Sequence, residues 1–166
     1  MSVVDTLNAL PRDAFVTRLG SIYEHSPWVA ERSFEARPFA SLEALHAAMQ
    51  SAMLAATADE QMALIRAHPE LAGRLAAAQL TEQSRKEQAG SGLDRVTPKE
   101  RARMQGLNDR YREKFGFPFI VAVKGMTRQD ILAIFERRLG NDPELEFDTA
   151  ISQIHRIASF RLADLT

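Results

Sequence analysis

The sequence predicts an all-α protein. Three observations carry that expectation. Apolar residues recur at a 3.6-residue period through most of the chain. Helix signals punctuate it, with Ser41, Thr57, Thr81, Thr97 and Thr127 placed to cap starts and Gly116 and Gly140 placed at ends. Only Phe117 to Val123 reads as a short β-branched apolar run, and one strand cannot make a sheet. The expectation is a single compact helical domain of about seven to nine helices, with one buried extended connector near Phe117–Val123.

Pro11 can open the first expected helix, with Phe15, Val16, Leu19, Ile22 and Tyr23 as its apolar stripe. Ser26-Pro27 stops it, because a residue before proline is pushed out of the helical region. Ser41 caps a second helix carrying Leu42, Leu45, Met49 and Met53 on one face. Thr57 and Glu60 have capping-box spacing for a third, which ends near His68-Pro69. A short helix is expected from Pro69 to about Ala78.

Thr97-Pro98-Lys99-Glu100 combines an N-cap, a proline at the first position and a glutamate at the third. Met104, Leu107, Tyr111 and Phe115 follow on one face, and Gly116 closes the end. Thr127 and Gly140 bracket a helix with Ile131, Leu132, Phe135 and Leu139. Asp142-Pro143 opens the last helix, which reaches towards Leu165. Its expected stripe is Phe147, Ile151, Ile154, Ala158 and Leu165.

Composition bounds the chemistry. A chain of 166 residues is expected to be one domain, 1–166. It should bury roughly 70% of its unfolded surface. With no cysteine, disulfides, thiolate nucleophiles, iron–sulfur clusters and Cys-based zinc sites are excluded. Net charge is −1, without the basic excess usual in a nucleic-acid binder. Residues 81–114 are mildly basic, with 9 Lys plus Arg against 6 Asp plus Glu. Glu100, Asp109 and Glu113 interrupt them, as on a solvated helix face. No apolar run approaches the ~20 residues of a membrane span. The start, Met1-Ser2-Val3-Val4-Asp5, has no signal-peptide pattern, and Ala163-Asp164-Leu165-Thr166 is not a peroxisomal address. A cytoplasmic location is therefore expected.

Three places break the structural pattern, and such places are where functional sites are expected. Thr81 to Gly90 suits a helix but has no apolar stripe, so it is either well exposed or lines a polar cavity. Ser84, Glu87 and Gln88 share one of its faces. Arg161 lies on or beside the stripe of the last helix. Its charge needs a partner there, either an internal carboxylate or the anion of a ligand, unless it snorkels at the core edge. His68 ends an apolar helix and can exchange protons near neutral pH, with an unperturbed pKa of ~6.5. No H-x-x-x-H pair, G-x-S-x-G elbow or phosphate-binding glycine loop is present, so no metal site is expected. Histidine, carboxylate, amide and arginine together suit acid–base chemistry on a small anion.

At these residues the chain resembles the OHCU decarboxylases (2-oxo-4-hydroxy-4-carboxy-5-ureidoimidazoline decarboxylases) of urate degradation. The matching text includes Glu24-His25-Ser26-Pro27-Trp28-Val29-Ala30-Glu31, Arg37-Pro38-Phe39 and His68-Pro69-Glu70-Leu71-Ala72. Leu80-Thr81-Glu82-Gln83-Ser84-Arg85-Lys86-Glu87-Gln88, Gly92-Leu93 and Asn108-Asp109-Arg110-Tyr111 follow. Lys114-Phe115-Gly116-Phe117-Pro118-Phe119-Ile120, Arg138-Leu139 and Ile157-Ala158-Ser159-Phe160-Arg161-Leu162-Ala163-Asp164-Leu165 complete it. The resemblance covers about Phe15 to Leu165, without the transthyretin-like hydrolase domain fused in some relatives.

The resemblance implies an all-helical, cofactor-free carboxy-lyase, often a homodimer, that converts OHCU into S-allantoin and carbon dioxide. It implies His68 as the catalytic acid, with Arg161 completing the site, and Glu87 is expected to act with them by bonding His68 or the substrate hydroxyl. Pro69, Ser84, Arg85, Lys86, Glu87, Gln88, Phe119, Ile120, Val121, Ala122, Val123 and Arg161 would shape the substrate site. Substrate and product are the expected partners, with no nucleic acid and no membrane. A non-catalytic helical module that binds a protein or a small anion is the alternative. Nucleic-acid binding through residues 95–114 is a weaker one.

Overall fold

Side-chain caps set most of the helix starts. In a computed structural model that describes residues 1–72 and 80–166, Ser41 accepts from the Ala44 amide and opens α4 (Leu42–Leu54). Thr57 and Glu60 exchange hydrogen bonds of 3.0 and 3.1 Å at the start of α5 (Ala58–Ala67). Thr81 caps α6 (Glu82–Gly90). Thr97 with Glu100, and Thr127 with Asp130, form capping boxes on α7 (Pro98–Phe115) and α8 (Arg128–Leu139). Each box satisfies amides that the first turn leaves without partners. The last helix, α9, runs Pro143–Ala163. The architecture is all-α, with no strand among the described residues.

Two short helices go beyond the sequence reading. Ser2 and Asp5 box the start of α1 (Val3–Ala9), and α3 (Trp28–Ser33) follows Pro27 directly. The helix expected to run on to Ser26-Pro27 is shorter. As α2 (Arg12–Leu19) it stops before Gly20, where the chain tightens and the Ile22 amide bonds Leu19 O at 3.2 Å. Ile22 and Tyr23 are buried all the same. Of the helix expected from Pro69 to about Ala78, residues 73–78 lie outside the described residues, and Leu71 and Ala72 form a turn.

The chain forms two compact units, residues 1–67 with 155–166, and residues 68–154. In the first, α3 packs on α2 and α4, around Phe15, Leu19, Leu45, Met49 and Met53. The Asn8 amide clips both backbone groups of Phe39, at 2.9 and 2.8 Å. In the second unit α7 packs on α8 around Tyr111, whose ring meets Phe115, Phe117, Phe119 and Phe135.

Ile154 and Ala158 of the stripe expected on α9 are buried, but along the first half the buried face lies one residue earlier, and Leu165 is half-buried beyond the helix end. The buried face passes through Glu146, Ala150, Ile154, Ala158, Arg161 and Leu162 rather than Phe147 and Ile151. Two charged side chains therefore lie on it. On α8 the deep position in the last turn is Arg138 rather than Leu139.

Candidate active site

His68 directly follows the last residue of α5 and is buried. The backbone after it is held from several sides. The Gln88 side chain accepts from the Ala72 amide at 3.1 Å and donates to Glu70 O at 3.3 Å. Asn108 donates to Leu71 O at 3.0 Å, and Arg101 to Ala72 O at 3.4 Å. Arg112 stands 3.4 Å from the Glu70 carboxylate. Ala72 has φ 48°, a left-handed conformation that costs a Cβ residue roughly 1–2 kcal/mol. Such strain persists only where the surroundings over-determine the backbone, and here four side-chain hydrogen bonds do so.

On α6, Ser84 and Gln88 are buried and Glu87 is half-buried, while Arg85 and Lys86 are exposed. The polar helix thus turns a hydroxyl and an amide inward. This places Ser84 and Gln88 on the interior side and explains the missing apolar stripe. Gln88 is engaged with the turn at Glu70–Ala72, a use that its sequence position did not signal.

Phe119 to Val123 is buried throughout and is neither helix nor strand. Gly116 (φ 77°) ends α7 in the left-handed form that glycine adopts without strain, so the chain can turn into this segment. The segment is pinned by side chains. Arg138 donates to Ile120 O at 2.6 Å, the Ala122 amide to Gln153 at 2.9 Å, and Ser91 to Val123 O at 2.8 Å. Among the described residues, the peptide groups of Phe119 and Val121 make no hydrogen bond. Buried peptide groups usually find a partner.

Behind the segment lies a charged cluster that the sequence reading missed. Glu146, fully buried, accepts from Arg138 Nε at 2.8 Å, the Tyr111 hydroxyl at 2.6 Å and Asn141 at 2.9 Å. Burial, with the Glu146 carboxylate beside it, pushes the Tyr111 phenol well above its ordinary pKa, so it stays a donor. The only available signal was an arginine three residues after Phe135 and seven after Ile131, on the same helix face. A basic residue in a last helical turn otherwise reads as a partner of the helix dipole.

Arg161 belongs to the first unit and is buried. Its guanidinium bonds Glu24 at 2.9 Å and Ser21 O at 3.0 Å. Of the two partners expected from sequence, the internal carboxylate is present. Among the described residues, no group of three or more His, Asp or Glu is arranged to hold a metal ion. No described helix is long and apolar enough to cross a membrane.

The described residues define an all-helical protein with polar side chains turned inward and a buried irregular segment. Residues 8–163 match the family model described as OHCU decarboxylase. The chain belongs to the OHCU decarboxylase family. A 2-oxo-4-hydroxy-4-carboxy-5-ureidoimidazoline decarboxylase of Haloferax volcanii is 44% identical over 158 residues, covering 95% of this chain and 92% of that protein. The uric acid degradation bifunctional protein of Bacillus subtilis is 42% identical over 165 residues, which are 33% of its length. Among solved structures, an (S)-allantoin synthase aligns with TM-score 0.76 at 32% identity. That alignment covers 98% of this chain and 53% of the synthase, so this chain spans about half of that protein. An OHCU decarboxylase crystallised in the presence of (S)-allantoin shares the fold, with TM-score 0.67 at 18% identity.

Proposed function

We propose that this protein is a carboxy-lyase that converts OHCU into S-allantoin and carbon dioxide during urate degradation, without a cofactor. The observation that carries the reading is the family match from residue 8 to 163, which takes in His68, Ser84 to Gln88, Phe119 to Val123 and Arg161.

The substrate carries a carboxylate and a hydroxyl on one ring carbon, beside a C=N bond. Breaking the bond to the carboxylate releases carbon dioxide and leaves an electron pair. The C=N accepts it and the nitrogen takes up a proton, giving an enol-type amine. The hydroxyl then gives up its proton as the neighbouring carbon is protonated on one face. The sink belongs to the substrate, so no carrier is required.

The protein's task is orientation and proton movement. His68 is proposed as the acid. Glu87 either hydrogen-bonds His68 and sets its tautomer or takes the substrate hydroxyl. Ser84 and Gln88 face the ureido or ring amide groups, with Pro69, Arg85 and Lys86 shaping their surroundings. Gln88 also keeps the turn after His68 in place. The peptide groups of Phe119 and Val121 supply further donors and acceptors. Arg161 is proposed for the substrate's carboxylate, its fork oriented by Glu24. A homodimer in the cytoplasm is the form proposed, and sedimentation of the purified protein tests its assembly.

The test generates OHCU enzymatically from urate and follows optical activity as allantoin forms. The expected result is fast formation of one enantiomer. Allantoin without optical excess, at the spontaneous rate, leaves the non-catalytic module as the better reading. Replacing His68 by Asn should lower the rate about 10²–10⁴-fold, the usual worth of a positioned acid. A near-wild-type rate in that variant removes the acid role.

A further inference from the structure

We infer that Arg138 is a positioning residue for this reaction, holding Phe119–Val123 in the irregular path that leaves peptide groups free for the substrate. The inference rests on the proposed assignment of that segment to the substrate.

Arg138 acts in three directions at once. Nη1 holds Ile120 O at 2.6 Å, and Nε holds Glu146 at 2.8 Å. Its guanidinium carbon lies 4.5 Å from the centre of the Phe119 ring, which stacks on Phe135 at 3.9 Å. The carboxylate is fixed in turn by Tyr111 from α7 and by Asn141 from the α8–α9 turn. Within residues 119–121, Ile120 O is the one peptide group bonded among the described residues. Peptide planes are rigid and joined at each Cα, so displacing Ile120 O also displaces the adjoining peptide groups.

Stability alone does not account for this arrangement. The side chains of Arg138 and Glu146 are 5% and 0% exposed, and removing both charges from water opposes folding. Apolar side chains of similar volume often hold such a place as well or better. Arg138 Nη2 is also buried without a hydrogen-bond partner among the described residues, a further cost. What an apolar side chain lacks is a rigid fork that seizes a carbonyl and a carboxylate together.

Two variants separate positioning from support. The first is the triple change Arg138→Met, Tyr111→Phe and Glu146→Leu, which replaces the cluster with apolar groups. It is expected to keep a thermal midpoint near wild type. Its kcat/KM on OHCU should fall about 10- to 100-fold, since displacement of about 1 Å costs on this order. Its binding of S-allantoin, followed by calorimetry, should weaken as well. The second is Arg138→Lys, which keeps the charge but loses the fork. It should lose at least about tenfold in kcat/KM at a temperature where circular dichroism shows wild-type helix, with KM raised more than kcat is lowered. Wild-type kcat/KM in either folded variant overturns the inference. A wild-type protein that fails to accelerate OHCU decay overturns the proposed function with it. An active wild type beside an equally active variant overturns the role of Arg138 alone.

Discussion

Among the described residues, each unit has an arginine–carboxylate pair buried on both sides, and the pairs differ in what they hold. Arg161 meets Glu24 at 2.9 Å, and Arg138 meets Glu146 at 2.8 Å, with every side chain 5% exposed or less. In the first unit the guanidinium also reaches Ser21 O, in the turn that ends α2. In the second the carboxylate gathers a phenol and an amide, and the guanidinium reaches a segment without regular structure. One pair ties down a turn, and the other is the hub that fixes an irregular chain. Burial and charge are the same in both, so neither decides the role. The backbone group at the far side of the fork does.

The largest effect should come from breaking the hub. Glu146→Leu leaves Arg138, Tyr111 and Asn141 without their shared acceptor, and a broken buried pair typically costs about 3–5 kcal/mol. The value expected is at the upper end. Glu24→Leu should fall nearer the lower end, and urea unfolding of both checks the order. A larger loss at Glu24 would break the contrast. Next comes Arg161→Ala, expected to reduce kcat/KM on OHCU by about 10- to 100-fold, in line with ~1.5–3 kcal/mol for a hydrogen bond to a charged group. Unchanged kinetics would make Arg161–Glu24 a purely structural tie.

Acid should sharpen the difference further. In the first unit, burial holds His155 down at about 4, with His46 contributing, and burial also lowers His46. Unfolding lets these rings bind protons that the folded state refuses. Stability should therefore decline as pH falls from the ordinary histidine range near ~6.5 towards about 4. Hydrogen exchange on α4 should rise before that on α7 and α8, and simultaneous loss would contradict the assignment. The smallest change is Ser91→Ala, which removes the bond to Val123 O and should cost ~1 kcal/mol in thermal or urea unfolding.

Much of the helical framework was legible because caps are local. Thr97-Pro98-Lys99-Glu100 signals its helix within four residues, and α7 starts there. Ser2 and Asp5 carry the same kind of signal for α1 at a smaller scale, and a seven-residue helix offers little periodicity to support it. The end of α2 was harder. Ile22 and Tyr23 continue the apolar spacing and are buried, but from a turn. Periodicity reports burial better than it reports hydrogen bonding.

In the candidate site, His68 and Ser84 to Gln88 stood out because they break a pattern. Arg138 and Asn108 did not. Asn108 lies beside Leu107 on the buried face of α7, and its reach to Leu71 O exists only after folding. Glu146 reads as an acidic residue suited to a helix N-terminus, and Arg138 as a basic one suited to a C-terminus. Each satisfies a local rule, so nothing local reveals that they meet.

The buried run at Phe119–Val123 bears on how this protein tolerates mutational drift. Peptide N–H and C=O groups are common to every residue type except proline, which lacks the donor. A ligand gripped at Val121 through those atoms would be indifferent to exchange of Val121 for another side chain of similar volume. Proline alone would delete the donor outright. Recognition of that kind is written in the path of the chain rather than in its alphabet. The residues answerable for it are then those that hold the path, Arg138, Gln153 and Ser91 among them.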